Sequence, residues 1–156
     1  MKHKQILLVE DNPDDEALTL RALRRSSVRS DVFVARDGLE AVNYLLDVCL
    51  DSGVSERPLP HVVLLDLKLP KLDGLGVLRR IRAHERTRLL PVVILSSSDE
   101  EQDRIEGYSL GANSYVRKPV DFEQFLIAAA QLGVYWLTLN ESPATGPKLG
   151  PGFRNA

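Results

Sequence analysis

The sequence of 156 residues is poor in cysteine and contains no long apolar run. Its single cysteine, Cys49, excludes an internal disulfide bond and favours a reducing compartment. No segment approaches the roughly 20 apolar residues of a membrane helix, and the first apolar run, residues 6–9, is too short for a secretory signal. These absences predict a cytoplasmic protein without a membrane partner.

Neither sign of charge dominates the chain. Lysine and arginine number 20 against 22 aspartate and glutamate residues, so the net charge of -2 gives no overall attraction to nucleic acid. Hydrophobic residues make up 44% of the chain, close to the globular average. A chain of this length can bury a core without disulfide bonds or structural metal ions. The composition predicts one globular domain that does not bind nucleic acid.

Short apolar runs alternate with helical patterns along the chain. A helix is predicted to begin with Asn12 as its cap and Pro13 at its first position. Five strands alternating with five helices predict an α/β fold, a doubly wound parallel sheet with helices on both faces. The predicted strands lie at residues 6–9, 32–35, 62–65, 92–95 and 115–116, and the later helices near residues 39–50, 75–81, 100–110 and 122–140.

Composition also indicates the domain boundaries. Residues 1–140 are predicted to form one domain with an extended last helix, and residues 51–60 to form a loop. Residues 141–156 are rich in proline and glycine and are predicted to be a disordered tail. This tail is too short for a DNA-binding module, so output through protein contact or onward phosphotransfer is expected rather than direct control of transcription.

Polar side chains follow four of the five predicted strands. Glu10 and Asp11 follow the first strand, Asp66 the third, Ser96 the fourth and Lys118 the fifth. Ligands of doubly wound sheets bind at the carboxyl ends of the strands. Taken singly, each residue could be a helix cap, a loop charge or a surface lysine. Taken together, they predict a site in one crevice.

The chemistry of this set favours a hard cation. Clustered carboxylates repel one another unless a cation offsets their charge. Oxygen ligands suit Mg²⁺, which commonly uses one or two carboxylates together with phosphate oxygens. His3, His61 and His84 are scattered without the spacing of metal ligands, so a softer metal is not predicted.

Four linked motifs carry a resemblance to a known family. They are Glu10-Asp11, residues 64–74 (LLDLKLPKLDG), residues 92–97 (VVILSS) and residues 116–119 (VRKP). Over roughly residues 4–139 the chain resembles the chemotaxis-type receiver domains of two-component response regulators. The loop at residues 51–60 and the segment at residues 135–137 resemble the single-domain regulators paired with bacterial phytochromes. The resemblance implies a flavodoxin-like fold with strand order 2-1-3-4-5 and a stand-alone signalling protein, not an enzyme.

The resemblance also implies roles for individual residues. Asp66 would be the phosphoacceptor, phosphorylated by a sensor histidine kinase, with a bacteriophytochrome as the narrower expectation. Asp11 and Asp66 would bind Mg²⁺, with Glu10 binding directly or through water. The backbone carbonyl of Lys68 would complete the metal ligands, while its side chain could approach the phosphoryl group or point to solvent. Lys118 would contact a phosphoryl oxygen.

Further residues take structural and switching roles by the same resemblance. Ser96 would contact the phosphoryl group and form a switch with Tyr115, which changes the face made by the fourth helix, fifth strand and fifth helix. Tyr115 could instead be an ordinary strand aromatic. Gly74 would permit a tight turn into the third helix, and Pro119 would follow a cis peptide bond that aims Lys118.

The end of the last helix predicts an interface. A helix of about 19 residues is longer than the strands beneath it, so its end should overhang the sheet. Tyr135, Trp136 and Leu137 would then be exposed, and exposed apolar residues of this density usually mark an interface. We expect a homodimer through the face of the fourth and fifth helices. Alternatively, the loop at residues 51–60 or the tail covers these side chains.

Three other functions compete with a phosphorylated receiver. An aspartyl-nucleophile phosphatase would carry a second acid two residues after Asp66, where this chain has Lys68. A nucleotide-binding enzyme would carry a glycine-rich phosphate loop after the first strand, where this chain has Glu10-Asp11. A receiver-like module that binds partners without phosphorylation is disfavoured by the complete set of acids, hydroxyl and lysine.

Overall fold

The computed structural model describes residues 4–26, 28–46 and 58–143. The end of the second predicted helix with Cys49, residues 51–57 of the predicted loop and the predicted tail from residue 144 onward lie outside these ranges. Within them, no helix combines the length and the apolar character that crossing a bilayer requires.

Ten elements alternate along the described chain. The strands are β1 (Lys4–Val9), β2 (Ser30–Ala35), β3 (Val62–Leu65), β4 (Val92–Ser96) and β5 (Ser114–Arg117). The helices are α1 (Pro13–Arg25), α2 (Gly38–Leu46), α3 (Gly74–Ala83), α4 (Glu101–Ser109) and α5 (Phe122–Val134). The last helix continues into a π-helical turn (Tyr135–Leu139).

The five strands pair in parallel in the order β2-β1-β3-β4-β5, which confirms the predicted sheet. Alternation along β1 sends Leu7 and Val9 into one core cluster and Ile6 and Leu8 into another. The first cluster includes side chains of α2 and α3, and the second includes side chains of α1 and the π-helical turn. Both faces are covered, so every residue of β3 and β4 is buried.

Side-chain caps begin α1 and α3 at the edge of the sheet where the acidic residues lie. Oδ1 of Asn12 accepts hydrogen bonds from the backbone N–H groups of Asp14 at 2.9 Å and Asp15 at 3.2 Å, as the predicted cap requires. Oδ1 of Asp73 accepts a hydrogen bond from the N–H of Gly76 at 2.8 Å. The Asn12 cap lets α1 begin at Pro13, shortly after β1 ends at Val9, and the Asp73 cap begins α3 at Gly74 after the longer loop that follows Asp66.

The end of the last helix lies closer to the sheet than expected. Trp136 and Leu137 are buried in the core cluster of β1, β3 and α1, and of the three predicted interface residues Tyr135 alone is exposed, at 47%. The expectation that Trp136 and Leu137 overhang the sheet is therefore wrong. The reason is that the helix end packs over the sheet and α1, where Trp136 and Leu137 share a core cluster with Ile6, Leu8 and Leu23.

Gly38 and Gly76 are both buried helix residues, but a methyl group would meet different neighbours at the two positions. A Cβ at Gly38 would lie 1.9 Å from the backbone oxygen of Leu72, whereas a Cβ at Gly76 would lie 2.7 Å from the side-chain Cδ1 of Leu72. We predict that Gly38→Ala lowers the free energy of unfolding by about 3 kcal/mol, because backbone cannot move aside cheaply. Gly76→Ala, the matched control, should cost about 1 kcal/mol or less, since a leucine side chain can rotate away.

Unfolding both variants in urea measures the difference. Equal losses of unfolding free energy at the two positions would show that the clash with the backbone of Leu72 is not what makes Gly38→Ala destabilising.

Candidate functional site

Hydrogen bonds of the parallel sheet continue beyond the strands and position the site residues. The N–H of Asp66 donates to the carbonyl of Val9 at 3.1 Å, and the N–H of Lys118 donates to the carbonyl of Ser96 at 2.7 Å. Asp66 is thereby fixed beside the end of β1, and Lys118 beside the end of β4. The side chains that follow separate strands thus meet at the carboxyl edge of the sheet.

The ammonium of Lys118 is the centre of this site. Its Nζ lies 2.6 Å from Oε1 of Glu10, 2.8 Å from Oδ2 of Asp15 and 3.3 Å from Oδ2 of Asp66. The Lys118 and Glu10 side chains are almost completely buried, with exposures of 6% and 2%. Three carboxylates therefore surround one buried ammonium, and its three N–H donors each have an acceptor.

Three acids of the site also form a possible cation-binding cluster. Glu10, Asp11 and Asp66 each offer a carboxylate oxygen, and these oxygens lie within 4.8 Å of one another. Asp11 is exposed, so the cluster is open to solvent on one side. A set of oxygen ligands with excess negative charge fits a hard divalent cation. The residues that the sequence predicted as metal ligands by their carboxylates are thus brought together.

The crowding of acids alters the protonation of the buried pair. Burial raises the pKa of Glu10 to about 7 from its ordinary 4.5; the hydrogen bond from Lys118 opposes the rise and the charge of Asp66 adds to it. Burial by itself lowers the pKa of Lys118. The hydrogen bonds to Asp15 and Glu10, with the charge of Asp66, outweigh burial and raise that pKa.

Ser96 and Tyr115 are connected through the backbone of Ser98. Ser96 is fully buried at the end of β4, and its Oγ accepts a hydrogen bond from the N–H of Ser98 at 3.2 Å. The hydroxyl of Tyr115 donates to the carbonyl of Ser98 at 3.1 Å. The Oγ of Ser98 in turn donates to Asp103 in α4. The two predicted switch residues therefore contact one residue that is also hydrogen-bonded to α4.

The remaining predicted site residues lie around this centre. A Cβ at Gly74 would lie 2.2 Å from the backbone oxygen of Asp66, so only glycine fits where α3 begins. Lys68 is exposed two residues beyond Asp66. The peptide bond between Lys118 and Pro119 is trans, as are the other peptide bonds of the described residues. The expected cis bond is therefore wrong, and the trans form is the more stable one for most bonds to proline.

Asp15 is a site residue that the sequence pattern did not reveal. It lies in the first turn of α1, where acidic residues are common because they favour the positive end of the helix dipole. Its contact with Lys118 joins residues 103 positions apart, which spacing along the chain cannot predict. Its position in the sequence could have indicated this role. Asp15 lies three residues after Asn12, the cap of α1, and Asn12 directly follows Glu10-Asp11.

Comparison with known proteins adds independent findings. The family model described as response regulator receiver domain matches residues 6–130. The probable methanogenesis regulatory protein FilR2 of Methanothrix harundinacea is 43% identical over 138 residues, which cover 88% of this chain and 86% of that protein. The response regulator Rcp1 of Synechocystis is 34% identical over 141 residues, covering 90% and 94%.

Solved structures of response regulators also align with this chain. The phosphorylated cyanobacterial phytochrome response regulator RcpA aligns with a TM-score of 0.82 and 37% identity, covering 92% of this chain and all of that one. The Mn²⁺-bound form of Rcp1 aligns with a TM-score of 0.81 and 34% identity, covering 90% and 99%. The bacteriophytochrome response regulator RtBRR is 50% identical, with a TM-score of 0.69 and coverages of 91% and 85%.

The raised pKa of Glu10 predicts how stability depends on pH in the absence of divalent metal. The folded protein binds a proton at Glu10 more tightly than the unfolded chain, so this contribution to stability is complete below pH 4.5 and is lost as pH rises past about 7. Glu10→Gln cannot lose that proton. We predict that the free energy of unfolding falls more in the wild type than in Glu10→Gln between about pH 5 and about pH 8, by on the order of 3 kcal/mol.

Urea unfolding with a metal chelator at both pH values measures this difference. Parallel pH profiles for the two proteins would show that Glu10 ionises in the folded state as easily as in the unfolded chain.

Proposed function

The chain belongs to the response regulator receiver family, and from this premise we propose that it accepts a phosphoryl group on Asp66 in a Mg²⁺-dependent reaction. The proposed phosphodonor is a sensor histidine kinase. One observation carries the proposal: the buried ammonium of Lys118 lies 3.3 Å from Asp66, whose carboxylate is grouped with those of Glu10 and Asp11. Such a set can hold a nucleophilic carboxylate, a divalent cation and phosphoryl oxygens in one place.

Asp66 would be the nucleophile of this reaction. Its Oδ1 accepts the N–H of Leu67 at 2.7 Å, which restrains the carboxylate, while Oδ2 faces Lys118. A carboxylate oxygen would attack phosphorus in line with the leaving nitrogen of a phosphohistidine. The O–P bond of an acyl phosphate forms as the N–P bond breaks, and the histidine nitrogen keeps the electron pair.

The surrounding groups would stabilise charge on the transferred phosphoryl group. Glu10, Asp11, Asp66 and the backbone carbonyl of Lys68 would hold Mg²⁺, which when bound supplies positive charge to phosphoryl oxygens. Lys118 would pair with a second oxygen, and the Ser96 hydroxyl would donate to a third. The same groups would assist hydrolysis of the acyl phosphate, so that the protein contributes to its own dephosphorylation.

The link through Ser98 supports a switch. If Ser96 turns towards a phosphoryl group, its hydrogen bond with Ser98 changes, and Ser98 also holds the Tyr115 hydroxyl and Asp103. The proposed output is therefore a changed surface of α4, β5 and α5. A local change of charge at Asp66 would thereby alter a surface away from the site.

Similar proteins and the composition of the chain support a proposed partner and location. Two similar solved structures, RcpA and RtBRR, are phytochrome and bacteriophytochrome response regulators, and this favours a bacteriophytochrome-type kinase as the partner. A single cysteine favours the cytoplasm. The balanced net charge of the whole chain, -2, favours protein rather than nucleic acid as the target.

The phosphoacceptor is tested with a small phosphodonor. We predict that incubation with acetyl phosphate and Mg²⁺ adds one labile phosphoryl group, detected by intact mass, and that Asp66→Asn adds none. Lys118→Ala should reduce the adduct, because the ammonium offsets charge on the phosphoryl oxygens. The same incubation with a metal chelator should leave the protein unmodified.

The outcomes separate this function from its competitors. An adduct that survives Asp66→Asn would place the acceptor elsewhere. Failure of the wild type to form any adduct would favour a module that binds partners without phosphorylation. Hydrolysis of many phosphoester molecules per protein would favour an aspartyl phosphatase.

We also propose a homodimer through α4, β5 and α5. Ile105 and Tyr108 in α4 and Tyr135 after α5 are each about half exposed, and apolar surface of this kind is typical of interfaces. We predict a dimer by light scattering at about tens of micromolar, a concentration suited to an interface of ordinary size. Ile105→Glu should shift the protein towards monomer because it places a charge in the interface.

Leu89→Glu is the control for this substitution. Leu89 is as exposed as Ile105 but lies in the turn after α3, away from the proposed interface. A wild-type monomer, with and without phosphodonor, would rule out the dimer.

A further inference from the structure

Asp15 is a carboxylate partner of Lys118 that lies outside the acid cluster. Its Oδ2 lies 2.8 Å from the ammonium, whereas the oxygens grouped to fit a cation belong to Glu10, Asp11 and Asp66. Two partners of Lys118, Glu10 and Asp66, are therefore also candidate metal ligands. The third partner, Asp15, is not.

A divalent cation and the ammonium would compete for the same carboxylates. Lys118 contacts Oε1 of Glu10 and Oδ2 of Asp66, while the other oxygen of each accepts a backbone N–H, from Asn12 and Leu67 respectively. A cation that binds Glu10 and Asp66 therefore weakens their contacts with the ammonium. A buried ammonium that loses its partners is costly, so the loss would oppose binding of the cation.

The position of Asp15 is suited to holding the ammonium through such a change. Its backbone N–H donates to Asn12 at 3.2 Å, and its carbonyl accepts the hydroxyl of Thr19, which is fully buried, at 2.8 Å. These bonds restrain Asp15 within the first turn of α1. Its side chain is 26% exposed, compared with 2% for Glu10, so its carboxylate contacts solvent as well as the ammonium.

We propose that Asp15 is a positioning residue that holds Lys118 beside the site while a divalent cation occupies the acid cluster. It thereby increases the affinity of the cluster for the cation. This inference rests on the cation-binding part of the proposed function. Asp15 acts through Lys118 and does not contact the cation.

Calorimetric titration of the full chain with Mg²⁺ is the first test. Asp15→Asn should weaken Mg²⁺ binding by about tenfold, a difference of about 1.4 kcal/mol, because the ammonium loses its charged partner outside the cluster. Asp14→Asn is the matched control, since it removes the same charge from the neighbouring exposed residue. Its effect should be much smaller.

A double-mutant cycle separates action through Lys118 from a general effect of charge. In a Lys118→Met background, Asp15→Asn should have no further effect on Mg²⁺ affinity, because the group through which Asp15 acts is absent. A loss that persists in that background would overturn the proposal. A loss of equal size in Asp14→Asn, or no loss in Asp15→Asn, would also overturn it.

A second measurement decides the matter if Lys118→Met does not fold. Side-chain ¹⁵N NMR of the Mg²⁺-loaded protein should show a hydrogen-bonded Lys118 ammonium in the wild type and lose that signal in Asp15→Asn. An unchanged signal would overturn the proposal. Failure of the wild type to bind Mg²⁺ would contradict the proposed function itself, which distinguishes that failure from the failure of Asp15 alone.

Discussion

Neutralising buried carboxylates with one ammonium is the constraint on which the rest of the site depends. Glu10 and Asp66 are both buried, and their carboxylates would repel each other without a cation nearby. Lys118 supplies that cation at 2.6 Å and 3.3 Å. One positive charge cannot balance all the acids around it once Asp11 and Asp15 are included. The site can therefore fold with its own lysine and still attract a divalent cation.

The order of the strands explains why a lysine occupies this position. Glu10 follows β1 and Lys118 follows β5, with β3 and β4 lying between them in the sheet. The two residues are 108 positions apart, and the side chain must reach across two strand ends to make the contact. A flexible four-carbon stem with a compact ammonium can do so, whereas the planar fork of arginine needs a bidentate partner in a matching plane. Topology thus determines both the location of the charge and the type of residue that carries it.

How far the sequence predicted this molecule depends on the range of each interaction. Strand ends, the Asn12 cap and the grouping of acids were predictable because apolar runs and capping residues act locally and parallel strands end at one edge. Asp15 was missed because an acid in a first helical turn has a sufficient local explanation. The burial of Trp136 was missed because the lengths of helix and strands do not show how the helix end packs against the sheet and α1. The contacts that the sequence did not predict were therefore those between residues far apart in the chain.

Hydrogen bonds through Ser98 connect the site to α4. Ser96 is fully buried with its hydroxyl accepting a bond from Ser98, so it cannot turn towards a new partner without altering the backbone that also holds Tyr115. Buried polar groups need replacement partners when one is lost, because leaving them unpaired is costly. A phosphoryl group at Asp66 would supply the new acceptor for Ser96 and leave the N–H of Ser98 to find another. The proposed rearrangement at α4 would then be the consequence of satisfying hydrogen bonds, and it would require no contact between the phosphoryl group and the helix.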